Sequence, residues 1–556
     1  MSWSTACPDW AARLVAGKSI IPPPIFADQA QQALAIFKEL KVVDLPGKPT
    51  FGECSEQWVF DFVAAIFGGY DGEAGKQLIR EYGLLISKKN TKSTIAAGIM
   101  LTALILCWRE EEEHLILAPT KEVADNSYKP AASMIRADDE LSALFHIQDH
   151  VRTITHKVNR NSLKVVAADT DTVSGKKSGK VLVDELWLFG KRANAESMFM
   201  EALGGQVSRD EGWVIYLTTQ SDDPPAGVFK ERLGYWRDVR DGKIQDLKTL
   251  GVLYEFPDDM LKAKAYELPQ NFYITNPNIG RSVSAEWLED QLRKNRAKTD
   301  GTFQQFLAKH LNVEIGLNLR SDRWAGADFW AGAATQVFSL EELLARCEVA
   351  TIGVDGGGLD DMLGLAVIGR ETGTGRWLAW CRAWIHPIAM ERRKSEAPRY
   401  HDFIKAGDLV LVDQMGQDLL QVVAIVTQVA ESGLLDKIGV DRAGLGGIYD
   451  ALVGTEDEPG PVTAEDVVGI PQGWQLNGAI KTAERRLAEK RLQHGGSALM
   501  AWCVGNAKVV AVGNAISITK QASGFAKIDP LMALFDAVYL MALNPASKGK
   551  SFWDTE

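Results

Sequence analysis

No apolar run in this chain is long enough to cross a bilayer. The longest, residues 95–108, covers about 14 residues, whereas a membrane helix needs roughly 20. The opening stretch MSWSTACPDWAARLVAGKSIIPPP lacks a basic start followed by a long apolar segment, so no export signal is expected. Cysteine is sparse. Cys7, Cys54, Cys107, Cys347, Cys381 and Cys503 form no CxxC pair and no Cys/His metal spacing. Buried reduced thiols of a cytosolic protein are expected, rather than disulfides or zinc. Positive charge is not in excess either. The net charge of −12 argues against a simple nucleic-acid coat protein. Local basic patches, RRK at 392–394 and ERRLAEKR at 484–491, read either as DNA contacts or as solvated helix faces. There is no internal repeat and no long low-complexity segment.

What is present is an ordinary globular composition, 46 % apolar and 24 % charged, over 556 residues. That length exceeds a single hydrophobic core, so two or more domains are expected. Residues 1–50 read as an irregular, Pro-rich arm ending in the helix ADQAQQALAIFKEL. Apolar β-like runs follow at 83–86, 114–118, 163–168, 180–183 and 213–218, with helical patterns between them. Such alternation predicts a mostly parallel sheet covered by helices. Residues 221–345 are polar, helical and turn-rich. From 349 a second alternating region supplies the strands TIGVD, LGLAVIGR, GRWLAWCRAWI, KIGVD and DVVGIPQ, and a last helix begins near Asp529. Three adjacent strands followed by alternating helices and strands is the order of an RNase-H-like fold. The α/β chain is thus divided into an arm (1–50), a first domain with a mostly parallel sheet (51–325), a linker (326–348) and an RNase-H-like domain with a mixed sheet (349–556); the candidate sites that follow make the first a P-loop ATPase of the ASCE type and the second a nuclease.

The first candidate site is GLLISKKNTKST, an apolar strand entering a polar turn that runs directly into an apolar helix. This is the layout of a phosphate-binding P-loop, whose backbone N–H groups and helix dipole favour anions. Ser87, Lys88, Lys89, Asn90, Thr91, Lys92, Ser93 and Thr94 form the candidate ATP-binding loop. Lys92 is placed to reach the β- and γ-phosphates and Ser93 to ligate Mg²⁺. Asp184 and Glu185 end the apolar strand KVLV as a Walker B pair, one carboxylate for Mg²⁺ and one to orient the attacking water. Thr218, Thr219 and Gln220 end the strand WVIYL, where ligands of open α/β sheets bind. Gln57-Trp58 reads either as an adenine contact or as a helix with Trp58 in the core. Glycine is absent before Lys92: Thr91 stands there, and a β-branched residue resists positive φ at about 1–3 kcal/mol.

The second candidate site joins Asp355 and Asp441, each at the end of an apolar strand, with Asp529 at the start of the last helix. Like charges repel unless a cation neutralises them, so the trio points to bound Mg²⁺ or Mn²⁺ and phosphodiester cleavage by two metal ions. Asp536, two helical turns on, is the rival third acid. Asp360, Asp361 and His494 are possible supporting groups.

Together EQW, ISKKNTKST, LILAPTKEVA, ADTDTVSGKKSGKVLVDELWLF, YLTTQ, NPNIG, GVDGGGLDD, DRAG, VGIPQG and KIDPLMALFDA resemble the large terminase subunits of tailed bacteriophages. The resemblance implies an N-terminal ATPase that translocates double-stranded DNA and a C-terminal nuclease that cuts concatemeric genomes. It places Lys92 and Ser93 on ATP and Mg²⁺, Asp184 and Glu185 in Walker B, and Thr218, Thr219 and Gln220 in a motif coupling hydrolysis to movement. Asp355, Asp441 and Asp529 fall on the nuclease acids. It further implies a small terminase subunit and the portal protein of the procapsid as partners, a homo-oligomeric ring when docked, and work in the bacterial cytoplasm without a membrane. A helicase-like ATPase fused to a nuclease is the alternative, but only one P-loop region occurs. A non-enzymatic capsid component with fossil motifs is a third reading, disfavoured because decayed sites lose acids that are costly to bury.

Overall fold

The computed structural model describes residues 3–167, 178–192, 194–296, 302–315, 324–394, 396–441, 445–455, 457–513, 515–520 and 527–548. Parts of two motifs, residues 168–177 and 442–444, lie outside them. The chain forms two compact units, 1–315 and 316–556. Among the described residues no helix is long and apolar enough to cross a membrane. All six cysteines are unpaired. Cys107, Cys347 and Cys503 are buried as expected, whereas Cys7, Cys54 and Cys381 are partly exposed.

The first unit is built on an eight-stranded sheet. Its order is Thr249–Leu253, Glu81–Leu85, Trp213–Thr218, Ser178–Val183, Glu113–Ala118, Ser162–Ala167, Thr153–His156 and Phe145–Gln148. The first six strands are mutually parallel, and the last two add an antiparallel edge. All five expected strands are present. Thr249–Leu253 falls in the stretch read as helical and turn-rich, and it pairs with Glu81–Leu85 at the sheet edge. All five of its residues are buried, so it has no polar alternation to mark it. The arm is not a separate element. Its helix Ala27–Glu39 buries Phe37 in a stack on Phe51, and both rings close over Gly98 in the helix Lys92–Ile105.

The second unit carries a mixed sheet in the order Leu409–Leu411, Trp377–Ile385, Met362–Glu371, Cys347–Gly356, Leu435–Asp441 and Val467–Ile470, with Leu492–His494 beside Trp377–Ile385. Three antiparallel strands followed by parallel ones give the RNase-H-like order. The helix Asp529–Ala542 lies across the middle of this sheet and is almost wholly buried. Residues 326–348, expected as a linker, belong to the second unit's core. Trp330 and Ala333 are buried there, and Trp324 just before them packs edge-on against Phe535. His494 stacks on the Trp330 ring, with centroids 3.9 Å apart, and its Nε2 lies 2.9 Å from the Trp330 carbonyl oxygen. Its Nδ1 accepts from the Gly496 N–H, so His494 is tied into this packing at both nitrogens.

Candidate active sites

The parallel strands of the first unit all end at the same edge, and the expected loop crosses that edge. Residues 86–91 leave the strand Glu81–Leu85 and turn into the helix Lys92–Ile105. Lys92 Nζ meets Glu185 Oε1 at 2.6 Å. Ser93 Oγ donates to Asp184 Oδ2 at 3.1 Å, and Ser127 Oγ donates to the same oxygen at 3.0 Å. The Trp187 indole N–H donates to Glu185 Oε2 at 2.6 Å. Residues separated by some 90 positions in sequence thus converge.

Electrostatics divides the acid pair. Burial raises the Asp184 carboxyl above its ordinary range, against the pull of Lys92. Burial also acts upward on Glu185, but the Lys92 charge and hydrogen bond outweigh it and hold this carboxyl low. An ionised Glu185 beside a buried acid with two hydroxyl donors is the division of labour that a water-orienting base and a metal ligand need.

The loop itself is braced from residues 275–282. Asn90 donates to the Ser87 carbonyl at 3.0 Å and to Asn276 Oδ1 at 2.9 Å. Asn278 donates through Nδ2 to the Asn90 carbonyl and to Thr91 Oγ1, both at 3.1 Å. Ser282 Oγ donates to the Lys89 carbonyl. Trp58 is buried, and its indole N–H donates to Asn278 Oδ1 at 2.7 Å, so it supports the loop from behind. Gln57 is exposed and its amide donates to Asp61. Thr94 lies half-buried in the first turn of the helix, and Lys88 holds the Lys309 carbonyl through its backbone N–H.

Thr91 sits at φ 57°, ψ 21°, in the left-handed region, and Lys89 shortly before it has φ 72°. The strain foreseen for a β-branched residue is therefore present, offset by the hydroxyl, which also donates to the Asn90 carbonyl at 2.8 Å. Relief of left-handed strain in Thr91→Gly is worth about 1–2 kcal/mol. Lost hydrogen bonds and the more flexible unfolded chain take back about as much. Thr91→Gly is accordingly expected within about 1 kcal/mol of wild type, whereas Thr91→Val, which keeps the strain and loses the hydroxyl, costs about 1–3 kcal/mol. Urea unfolding of the two variants checks this; equal stabilities would remove the strain argument.

Thr218, Thr219 and Gln220 are buried where their strand ends. Thr218 Oγ1 accepts from the Trp187 N–H. Both polar atoms of the Gln220 side chain, and Ser87 Oγ, are buried without a protein partner. Donors left open at this edge suit phosphate oxygens. Sequence reasoning missed Lys309, on the helix Thr302–Leu311. Its ammonium donates to the Gln220 carbonyl at 2.8 Å and lies 2.9 Å from the Trp187 ring centroid. Burial pushes its pKa down to about 7, with Lys88 and Lys191 adding repulsion against the pull of Asp222 and Glu185. No motif marked it, because it reaches the site from a helix more than 200 positions after the loop.

In the second unit, register places the nuclease candidates. Val354 pairs with Val440 in parallel strands, so Asp355 and Asp441 follow at equivalent ends. Two glycines let the helix Asp529–Ala542 press onto the sheet: a Cβ on Gly353 would lie 2.0 Å from the Ala533 carbonyl, and one on Gly364 would lie 2.6 Å from Pro530 Cα. That close approach lowers Asp529 and Asp536 onto the strand ends. Burial raises the Asp355 carboxyl well above its ordinary value, reinforced by Asp536, Asp441 and Asp361. Asp529 is raised likewise by burial, then by Asp361 and Asp355. Asp536 is fully buried, accepts from Gln472 Nε2 at 3.0 Å and is pushed up to about 8 by burial and by Asp441. Asp529 Oδ2 and Asp536 Oδ2 have no protein partner. Asp361 is ion-paired to Lys527. Among the described residues no three of these acids bring their oxygens within 4.8 Å of one another. Hard oxygen donors whose charges repel one another fit divalent magnesium or manganese.

A strand–loop–helix lysine answered by an acid pair on a parallel sheet, beside a unit in which acids crowd the ends of an RNase-H-like sheet, defines an ATPase joined to a nuclease. Two family models agree with that division: terminase large subunit, ATPase domain, over residues 58–238, and terminase large subunit, endonuclease domain, over residues 252–544. The chain belongs to the terminase large subunit family and is the ATPase and nuclease subunit of a phage DNA-packaging motor. Protein YmfN of Escherichia coli strain K12 is 22 % identical over 360 residues, covering 62 % of this chain and 74 % of that protein. The large terminase of bacteriophage HK97 is 19 % identical, with a TM-score of 0.47, covering 92 % of this chain and 99 % of that one. The large terminase of a thermophilic bacteriophage, in complex with ADP, is 13 % identical, with a TM-score of 0.30, covering 84 % of this chain and 94 % of that one.

Proposed function

We propose that residues 87–94 with Asp184, Glu185 and Gln220 bind and hydrolyse Mg²⁺–ATP, and that Asp355, Asp441, Asp529 and Asp536 cut DNA with two metal ions. The observation that carries the first half is the pairing of Lys92 with Glu185 and Ser93 with Asp184. The lysine is held by a carboxylate until phosphate oxygens compete for it. Ser93 and Asp184 would hold Mg²⁺, which would neutralise charge on the β- and γ-phosphates. Glu185, ionised and fixed by Trp187, would orient the water. Thr218, Thr219 and Gln220, in contact with Trp187 and Lys309, would pass the state of the nucleotide to the sheet. Gln57 keeps a role at the adenine only if its amide leaves Asp61 on nucleotide binding.

At the nuclease site Asp355, Asp441, Asp529 and Asp536 would hold the metal ions. The metals would supply an activated water and charge stabilisation for the leaving oxygen. DNA contact would run mainly to phosphates and so weaken with salt. The ATPase domain would occupy the first compact unit and the nuclease the second, in place of the division at 325 and 349. The physiological setting would be the bacterial host's cytoplasm, with a ring of copies docking transiently on the procapsid portal and a small terminase subunit delivering concatemeric DNA.

Calorimetry of Mg²⁺–ATP binding to wild type and Lys92→Ala tests the first half directly. Binding should be lost, or weakened at least about 100-fold, since a buried phosphate-paired charge is worth about 3–5 kcal/mol. Equal affinity in a folded variant would remove Lys92 from the site. A second measurement concerns Lys309. Below about pH 7 it carries charge and attracts phosphate, so affinity for ATP should fall as pH rises through 7. The expected change is about three- to tenfold and absent in Lys309→Met. A pH profile identical in both proteins would show that Lys309 does not meet the nucleotide.

A further inference from the structure

At the opposite end of the first sheet, where its parallel strands begin, three side chains with metal-ligating atoms face one another. Cys107 Sγ, a Glu112 carboxylate oxygen and a His114 ring nitrogen all lie within 4.8 Å of one another, and all three residues are buried. Cys107 follows the helix Lys92–Ile105; Glu112 and His114 flank the first residue of the strand Glu113–Ala118. A single loop with the spacing Cys-x4-Glu-x-His therefore carries the whole set.

Three observations set this cluster apart from ordinary core packing. Neither ring nitrogen of His114 has a hydrogen-bond partner, although the residue has no solvent exposure. A buried imidazole in that condition has surrendered its water without replacement. The neighbouring strand Ser178–Val183 has also given up a side chain to admit the carboxylate: a Cβ on Gly179 would lie 1.6 Å from Glu112 Oε1. The loop, finally, is clamped. Asn161 accepts from the Glu112 N–H at 2.9 Å through Oδ1 and donates through Nδ2 to the carbonyls of Arg109, at 2.7 Å, and Cys107, at 3.4 Å. Cys107 Sγ donates to Glu112 Oε2 at 3.2 Å, but no ion pair or hydrogen bond accounts for His114. Lys180 Nζ stands 3.8 Å from Glu112 Oε1 and Arg109 4.0 Å from Oε2, but Arg109 is committed to Glu211 and neither touches His114 by hydrogen bond.

We propose that Cys107, Glu112 and His114 bind one zinc ion, which fastens the end of the helix that follows the phosphate loop to the start of the central strand. Thiolate, imidazole and carboxylate together suit zinc, whereas magnesium favours oxygen donors alone. The two anionic ligands balance the dication, and the Cys107 proton leaves on binding. A cleft lined by Trp108, Lys180 and Glu211 reaches Cys107, the one of the three that it touches.

Cobalt substitution of the full chain tests this. After chelator treatment, Co²⁺ should bind with one equivalent showing a thiolate-to-metal charge-transfer band, and zinc should erase the band. Cys107→Ser should lack it, and Asp355→Asn, altered only at the nuclease acids, should retain it. Absence of the band in folded wild type, or its survival in Cys107→Ser, overturns the proposal. His114→Leu guards against misfolding as an explanation, because it removes an unpaired polar group and should be at least as stable as wild type without metal. Zinc should then raise the wild-type melting temperature by at least about 3 °C and leave His114→Leu unchanged. An equal rise in both would place the zinc elsewhere.

Discussion

Asp355→Ala should abolish Mn²⁺-dependent plasmid cutting, by more than about 100-fold, and leave Mg²⁺–ATP binding intact. Asp355 is the acid on which the others converge: Asp536, Asp441 and Asp361 all act on its carboxyl, and Asp529 also senses it. Its removal takes away the acid that the other candidate ligands all sense. The repulsion it relieves means that the variant should also fold at least as well as wild type in metal-free buffer. The proposed ATP site lies within residues 1–315, so nucleotide binding serves as the internal control. Cleavage that persists in Asp355→Ala would sink the two-ion assignment. Asp529→Asn and Asp536→Asn then rank the helix acids, and the weaker cutter of the two identifies the more important partner.

Glu185→Ala should keep Mg²⁺–ATP bound while slowing hydrolysis about 10²–10⁴-fold, the range for losing a positioned base. The argument turns on what Glu185 does in the nucleotide-free protein. It holds Lys92 at 2.6 Å with both side chains nearly buried. Without Glu185 the Lys92 ammonium loses its partner, which costs the free protein roughly 3–5 kcal/mol. ATP supplies the missing anion, so the variant should gain more stability from ATP than wild type does. Single-turnover hydrolysis and thermal unfolding with and without Mg²⁺–ATP read both effects. Hydrolysis at the wild-type rate would remove Glu185 as the water-orienting group.

Much of the architecture was legible in the residues. Runs such as HLILA and WVIYLT are short, apolar and bounded by polar turns, which leaves few alternatives to a buried parallel strand. The loop before Lys92 and the acids at 184 and 185 lie at strand ends, and in a parallel sheet such ends share one edge. Thr91 illustrates how far this went. Its positive φ followed from where it stands, but the Asn278 and Asn90 contacts that make it tolerable come from residues that no local pattern connects.

What stayed hidden has a common physical origin. The strand Thr249–Leu253 carries no alternation because both its faces are covered. Residues 326–348 read as a linker because a few buried tryptophans and alanines among polar residues make no periodic signal. Lys309 reaches its site from a distant helix. Cys107, Glu112 and His114 match no standard metal spacing, since two of the three stand within or beside a strand rather than on a helix face.

The sequence by itself determined the α/β plan, the loop between strand and helix before Lys92 and the acids at strand ends, because these depend on local periodicity and on where a strand must stop. Only the tertiary structure decided which side chains meet. It set Lys92 on Glu185, the asparagines of 276 and 278 beneath the loop, Asp536 and Asp529 each near Asp355, and an unpaired imidazole against a thiol. Such meetings depend on burial and close approach between elements far apart in the chain, and glycines 179, 353 and 364 allow them only because neighbouring elements fill the space a side chain would take.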